Sequence, residues 1–216
     1  MSNRFMMVLV ALIVGLGLVF VFTKQKANAP NNSSSPVASS AQLSNHVMGA
    51  NKKKVTLLEY GDFQCSACGA FYPIVKSVVT KHKDEIAFQF RNYPIVQIHK
   101  NGFAASRAAE AASIQNKFWE MYDLLYEQQT TWSDSSNAMT YFESYAQQLN
   151  LDMAKFKSDY ASSAVNDVIN ADKAAGDKAG VNSTPTFLLN DKKVDKNPTS
   201  EADFDKLITD AIANSK

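Results

Sequence analysis

The chain has 216 residues, 22 basic against 21 acidic side chains and a formal charge of +1, with no basic stripe interleaved by aromatics, which argues against a nucleic-acid partner. The length allows one domain with an appendage, and the 45% hydrophobic content fits a globular core. Two cysteines and three scattered histidines, His46, His82 and His99, are too few and too dispersed for a four-ligand zinc site, so no metal is expected.

The chain opens with an unbroken apolar run from Phe5 to Phe22, flanked by Arg4 and by Lys24 and Lys26. As a helix this run is ~27 Å long, close to the thickness of bilayer hydrocarbon. A secretory signal peptide has a shorter apolar region. Ala27-Asn28-Ala29 has the form of a cleavage site, yet Pro30 fits poorly after a cut. Residues 1–26 are therefore expected to form an uncleaved single-pass anchor, with a cleaved peptide as the alternative. The flanking charges orient it weakly, and the short N-terminal side makes an N-in topology the simpler one. The remainder then works at the cell membrane on the extracytoplasmic side, where disulfides persist. Residues 27–44 are rich in Asn, Ser and Pro, cannot bury a core, and are expected to be a flexible tether.

Val55 to Tyr60 is apolar at nearly every position and predicts a strand in the middle of a sheet. Cys65 to His82 predicts a helix, with Phe71, Ile74, Val75, Val78 and Val79 at helical spacing and Pro73 expected to kink it. Both cysteines, Cys65 and Cys68, lie where strand passes into helix. A thiol at a helix N-terminus faces unpaired backbone N–H groups and the positive end of the helix dipole, both of which favour the thiolate. At i and i+3 the two sulfurs lie close enough to form a disulfide. Cys65 is expected to be the exposed nucleophile and Cys68 its resolving partner. A purely structural disulfide over so short a loop would constrain the unfolded chain little.

Ile86 to Arg91 alternates as a second strand, parallel to the first through the intervening helix, and Asn92-Tyr93-Pro94 ends it. From His99 to Lys178 the pattern is helical throughout. It includes an Ala-rich segment from Phe103 to Ser113, apolar faces led by Phe118 and Phe142, and a short helix capped by Asp152. The last of these helices stops at Gly180. Thr186 to Leu189 is a strand, Asn190-Asp191 a turn, and Val194 lies on the returning strand. Ser200 caps a final helix, with Asp203 placed to complete a capping box.

Strand, C-x-x-C helix and strand, then a helical insertion, then hairpin and helix, make an α/β, thioredoxin-like fold with an inserted helical subdomain, preceded by the N-terminal transmembrane helix. The chain resembles DsbA-type extracytoplasmic thiol-disulfide oxidoreductases, especially the membrane-anchored bacterial ones. Glu59-Tyr60-Gly61-Asp62-Phe63-Gln64-Cys65-Ser66-Ala67-Cys68 is similar to the family's active-site segment. His99 to Gln129 is similar to its first insertion helices, and Val181-Asn182-Ser183-Thr184-Pro185-Thr186-Phe187 to its cis-proline loop. The expected organisation is the anchor 1–26, the tether 27–44, a thioredoxin-like part 45–98 with the C-x-x-C, the insertion 99–180 and a second thioredoxin-like part 181–216.

The resemblance implies that Thr184 and Pro185 lie opposite Cys65 with the Pro185 bond cis. The Thr184 backbone is then free to pair with an extended substrate. It also implies that Glu59, buried at the end of its strand, passes a proton to or from Cys68. Asp62 and Gln64 read as loop formers. Ser66 and Ala67 stand where the family often has proline and histidine, and Ser183 where it often has glycine. Without that histidine a less oxidising pair is expected than in the family's extreme member.

The function expected is a protein-disulfide oxidoreductase, a dithiol oxidase that introduces disulfides into exported cysteine-containing proteins. Its only redox group is the Cys65–Cys68 disulfide, with no other cofactor. A quinone-linked DsbB-like or VKOR-like membrane partner would reoxidise it, and the chain would act as a monomer. The alternative is an extracytoplasmic reductase using the same cysteines. A tethered binding or chaperone module with incidental cysteines is a third reading, from a different class.

Overall fold

A computed structural model describes residues 42–215. The anchor expected over 1–26 and most of the tether lie outside them. Among the described residues no helix is long and apolar enough to cross a membrane.

The elements in chain order are β1 (His46–Met48), β2 (Val55–Gly61), α1 (Ser66–Lys81), β3 (Ile86–Asn92), α2 (Gly102–Ser113), α3 (Phe118–Glu127) and α4 (Gln129–Trp132). They continue with α5 (Ala138–Gln148), α6 (Met153–Ala161), α7 (Ser163–Lys178), β4 (Thr186–Leu189), β5 (Lys192–Lys193) and α8 (Glu201–Asn214). The five strands form one sheet in the order β1-β3-β2-β4-β5. β2 and β3 are parallel with Leu57 opposite Phe88, and β4 runs antiparallel to β2 with Glu59 opposite Phe187. The near-continuous apolar run of β2 reflects this central place, since a strand paired on both edges and covered on both faces has no solvated side.

Val55, Leu57, Phe88 and Phe187 share one face of the sheet and pack against Val75, Val78 and Val79 of α1 and Phe204 and Ile208 of α8. Leu58 and Tyr60 line the other face with Tyr93 and Leu188. There α7 comes so close that a side chain on Gly176 would meet the Tyr93 and Tyr60 rings. Helices α2 to α6 enclose a second core of Ala105, Ala108, Ala109, Met121, Leu125, Trp132, Phe142 and Phe156, continuous with Phe63 and Cys68 at the N-terminal end of α1. Ala105, Ala108, Ala109, Ala111 and Ala112 of α2 are fully buried, and their small side chains bring the neighbouring helices in close.

Three details depart from the sequence reading. β1, which pairs antiparallel with β3, was not expected as a strand; at three residues it is too short for a period-2 pattern to register. Ser44, assigned to the flexible tether, is buried, its N–H and hydroxyl both donating to the Asp172 carboxylate at 3.0 and 2.6 Å. At α8 the Asp203 N–H donates to Ser200 Oγ as expected, but the Asp203 carboxylate accepts from the Ser200 hydroxyl instead of reaching back to the Ser200 backbone N–H. Asp152 caps α6 through the Lys155 N–H. The turn at Asn190-Asp191 has positive φ at both residues, the geometry that joins a tight hairpin. α1 continues through Pro73.

Candidate active site at the N-terminus of the first helix

β2 ends at Gly61, and the loop Asp62 to Gln64 delivers Cys65 to the N-cap of α1. Asp62 is fully buried and organises this loop. One carboxylate oxygen accepts from the Gln64 N–H at 2.9 Å, and the other from the Ile95 N–H at 2.8 Å with His99 Nδ1 at 2.7 Å. Gln64 bridges to the helical insertion, its amide donating to the Ser133 carbonyl at 2.7 Å and its Oε1 accepting from the Asn101 N–H at 2.6 Å. Both residues are loop formers, in agreement with the sequence reading.

A tie the sequence did not reveal comes from Gln129, whose side-chain amide donates to the Phe63 and Cys65 carbonyls at 2.7 and 2.9 Å. No local pattern marks a glutamine whose partners lie 64 and 66 residues away.

Cys65 and Cys68 are both free thiols here. The exposed nucleophile expected at position 65 is only 9% exposed. The Thr184 carbonyl lies over it and accepts from its Sγ at 3.3 Å, while Ser66 and Ala67 take the solvent. The Cys65 pKa is nonetheless lowered to about 5. The largest cause is a hydrogen bond from the Cys68 thiol. Burial opposes it, and the Thr184 hydroxyl and the backbone N–H groups of Cys68 and Ala67 add to the lowering. Helix-terminal amides therefore contribute, but the neighbouring thiol contributes more. Thr184 Oγ1 is buried with no hydrogen-bond partner in place among the described residues, which leaves its proton free to turn to this sulfur.

Cys68 is 1% exposed and behaves oppositely. Burial first, then its donation to Cys65 and the charges of Glu59 and Cys65, push its pKa well above that of a free thiol, against a hydrogen bond from the Asp62 backbone. Glu59 is 2% exposed. Burial, then the Cys65 thiolate, raise it to about 8. Its strand register places it between Phe90 and Phe187, and a side chain on Gly61 would collide with the Phe90 ring and crowd Glu59 Oε1. Thr184 and Pro185 are buried, joined by a cis peptide bond. The structure thus brings all five sequence-predicted residues, Glu59, Cys65, Cys68, Thr184 and Pro185, to one end of the sheet. Among the described residues there is no cluster of His, Cys, Asp and Glu able to hold a metal ion.

A thiolate beside a reluctant, buried thiol is a dithiol arranged for exchange. The first sulfur is a good leaving group and the second is the one that must receive a proton.

Comparison with known proteins gives a concordant picture. Residues 41–210 match the family model described as Thioredoxin. A thioredoxin-like oxidoreductase from Silicibacter pomeroyi DSS-3 superposes with a TM-score of 0.63 at 25% identity, covering 78% of this chain and 90% of that one. Oxidised BdbD from Bacillus subtilis gives 0.65 at 22% identity, covering 77% and 92%. MdbA, a thiol-disulfide oxidoreductase from Corynebacterium diphtheriae, gives 0.60 at 19%, covering 76% and 88%. A curated relative, the Na(+)/H(+) antiporter NhaA 1 of Salinispora arenicola, is 33% identical over 171 residues, 79% of this chain but 25% of the antiporter. The chain therefore spans about a quarter of the length of the curated relatives it matches.

Proposed function

We propose, since the chain belongs to the thioredoxin family and is similar to a thioredoxin-like oxidoreductase, that it is a DsbA-type thiol-disulfide oxidoreductase working as a dithiol oxidase on exported proteins at the outer face of the cell membrane. The observation that carries this direction is the asymmetry of the two sulfurs: Cys65 favours the thiolate and Cys68 does not. Stabilising one thiolate stabilises the reduced enzyme, and a stabilised reduced form makes the disulfide form the stronger oxidant.

The resting enzyme carries the Cys65–Cys68 disulfide. A client thiolate attacks Cys65 Sγ, the S–S bond breaks, and Cys68 leaves as a thiolate that takes its proton from the Glu59 carboxyl. A second client thiolate attacks the client sulfur of the mixed disulfide, and Cys65 departs as the thiolate. The client loses two electrons and the cysteine pair gains them. The Thr184 backbone, beside Cys65 Sγ, pairs with the extended client as an added strand. A membrane quinone-linked partner of the DsbB or VKOR kind restores the disulfide, and residues 1–26 hold the monomeric domain at the membrane. The antiporter names belong to proteins about three times as long, and ion transport is no part of this reading.

The reductase alternative rests on Ser66 and Ala67, which supply no imidazolium beside the thiolate. Equilibration of the pair in glutathione buffers decides the direction. An oxidase is expected nearer the ~−120 mV end of the known range, and a value near the ~−270 mV end overturns it in favour of the reductase. Cys65→Ser abolishes turnover in either enzyme; retained activity would mean a binding module.

A further inference from the structure

Tyr126 and Tyr145 each carry a buried hydroxyl with no hydrogen-bond partner among the described residues. Such a group has given up hydration for nothing visible, and each case calls for a reason. Tyr145, on α5, is perturbed only by burial and by Tyr141. Tyr126 sits elsewhere. It lies on α3 one turn after Tyr122, and its ring is 5.1 Å from Phe63, 5.4 Å from Tyr72 and 4.9 Å from Tyr122. Tyr72 is one turn after Cys68 on the buried side of α1. Phe90, the register partner of Glu59, is 5.2 Å from Phe63 and 5.1 Å from Tyr122. Tyr126 therefore belongs to the same buried cluster as Cys68, and its neighbours Phe63 and Tyr122 pack on Phe90, the residue opposite Glu59. Burial first, then charge on Cys68 and on Glu59, make its hydroxyl harder to ionise, so its proton stays in place to be donated.

We propose that the Tyr126 hydroxyl is the hydrogen-bond donor for the negative charge that the Cys68–Glu59 pair acquires when the Cys65–Cys68 disulfide is opened. This rests on the exchange chemistry above. Before the step the disulfide is neutral and Glu59 is protonated, so no anion faces Tyr126. After it the client sulfur is bonded to Cys65, Cys68 has gained the electron pair of the broken S–S bond and the Glu59 proton, and one negative charge remains buried on the pair. The other titratable groups acting on this hydroxyl, Tyr122 and Asp62, offer no cation. A donor idle while the Cys68–Glu59 pair is neutral, as in the dithiol form seen here, and engaged once charge forms lowers the barrier differentially.

The test uses the oxidised full chain, reduced by excess dithiothreitol between pH 5 and 9, with acid quench and thiol alkylation to count the disulfide. Rates are divided by the thiolate fraction of the reductant. Tyr126→Phe keeps the ring and is expected to be slowed by about tenfold, the effect of a lost hydrogen bond to a charged group. The descending limb set by Glu59 is expected to shift to higher pH, because the carboxylate has lost its donor. Tyr145→Phe removes an equally buried idle hydroxyl and is expected to match the wild type. A wild-type rate and profile in Tyr126→Phe overturns the proposal, as does equal slowing in both variants, which signals packing alone. Failure of the wild type itself to be reduced through Cys65 overturns the exchange reading instead.

Discussion

At the scale of single residues, the chemistry reduces to where one proton resides. With Cys65 lowered to about 5 and Glu59 raised to about 8, at neutral pH the sulfur has lost the proton that the carboxyl has kept. Alkylation of the reduced protein by iodoacetamide should therefore reach half its maximal rate near pH 5, all of it at Cys65, with Cys68 unmodified through neutral pH. Mass mapping of the labelled peptide checks this, and a midpoint near the ~8.5 of free cysteine contradicts it.

At the scale of elements, the buried carboxylate of Asp172 on α7 joins three parts of the chain. It accepts from the Ser44 N–H and hydroxyl, from the Asn92 N–H at 3.1 Å and from Asn92 Nδ2 at 3.3 Å. Asn92 Nδ2 also donates to Glu110 Oε1 at 2.6 Å, and that same oxygen lies 2.8 Å from His46 Nε2. Burial raises the Asp172 pKa against these hydrogen bonds. Asp172→Ala strands several buried donors and should destabilise the fold by on the order of 3 kcal/mol. Urea unfolding measures the loss, while the Cys65 alkylation midpoint should hold, because the network shares no hydrogen bond with the cysteine loop.

At the scale of the whole molecule, the same two shifts set how stability follows pH. The lowered Cys65 pKa contributes stability that is complete above its unfolded value of about 8.5 and is lost as pH falls through about 5. The raised Glu59 pKa contributes stability that is complete below the ordinary glutamate value of 4.5 and is lost as pH rises through about 8. In the dithiol form the two oppose each other across this window. In the disulfide form Cys65 cannot ionise, so only the Glu59 loss remains. The reduced protein should therefore be the more stable form, with a margin that widens from pH 5 to pH 8. Urea unfolding of both forms across that range checks it, and a margin independent of pH contradicts it.

How much of this was legible in advance differs by element. The strand at Val55, the helix after Cys65 and the hairpin at Asn190 were readable because hydrophobic period and turn chemistry are local. The pair Cys65 and Cys68 was readable because its spacing and its place at a strand-to-helix junction are local too. The short β1, the buried Ser44, the Gln129 tie and the idle hydroxyl of Tyr126 were not, because each depends on partners brought from distant parts of the chain. So does the covering of Cys65 by the Thr184 carbonyl, which turned an expected exposed thiol into a nearly buried one. Sequence alone determined which residues could carry exchange chemistry, since composition and spacing are properties of neighbours along the chain. Only the tertiary structure decided how readily each of them gives up a proton, since that depends on burial and on charges that meet only once the chain has folded.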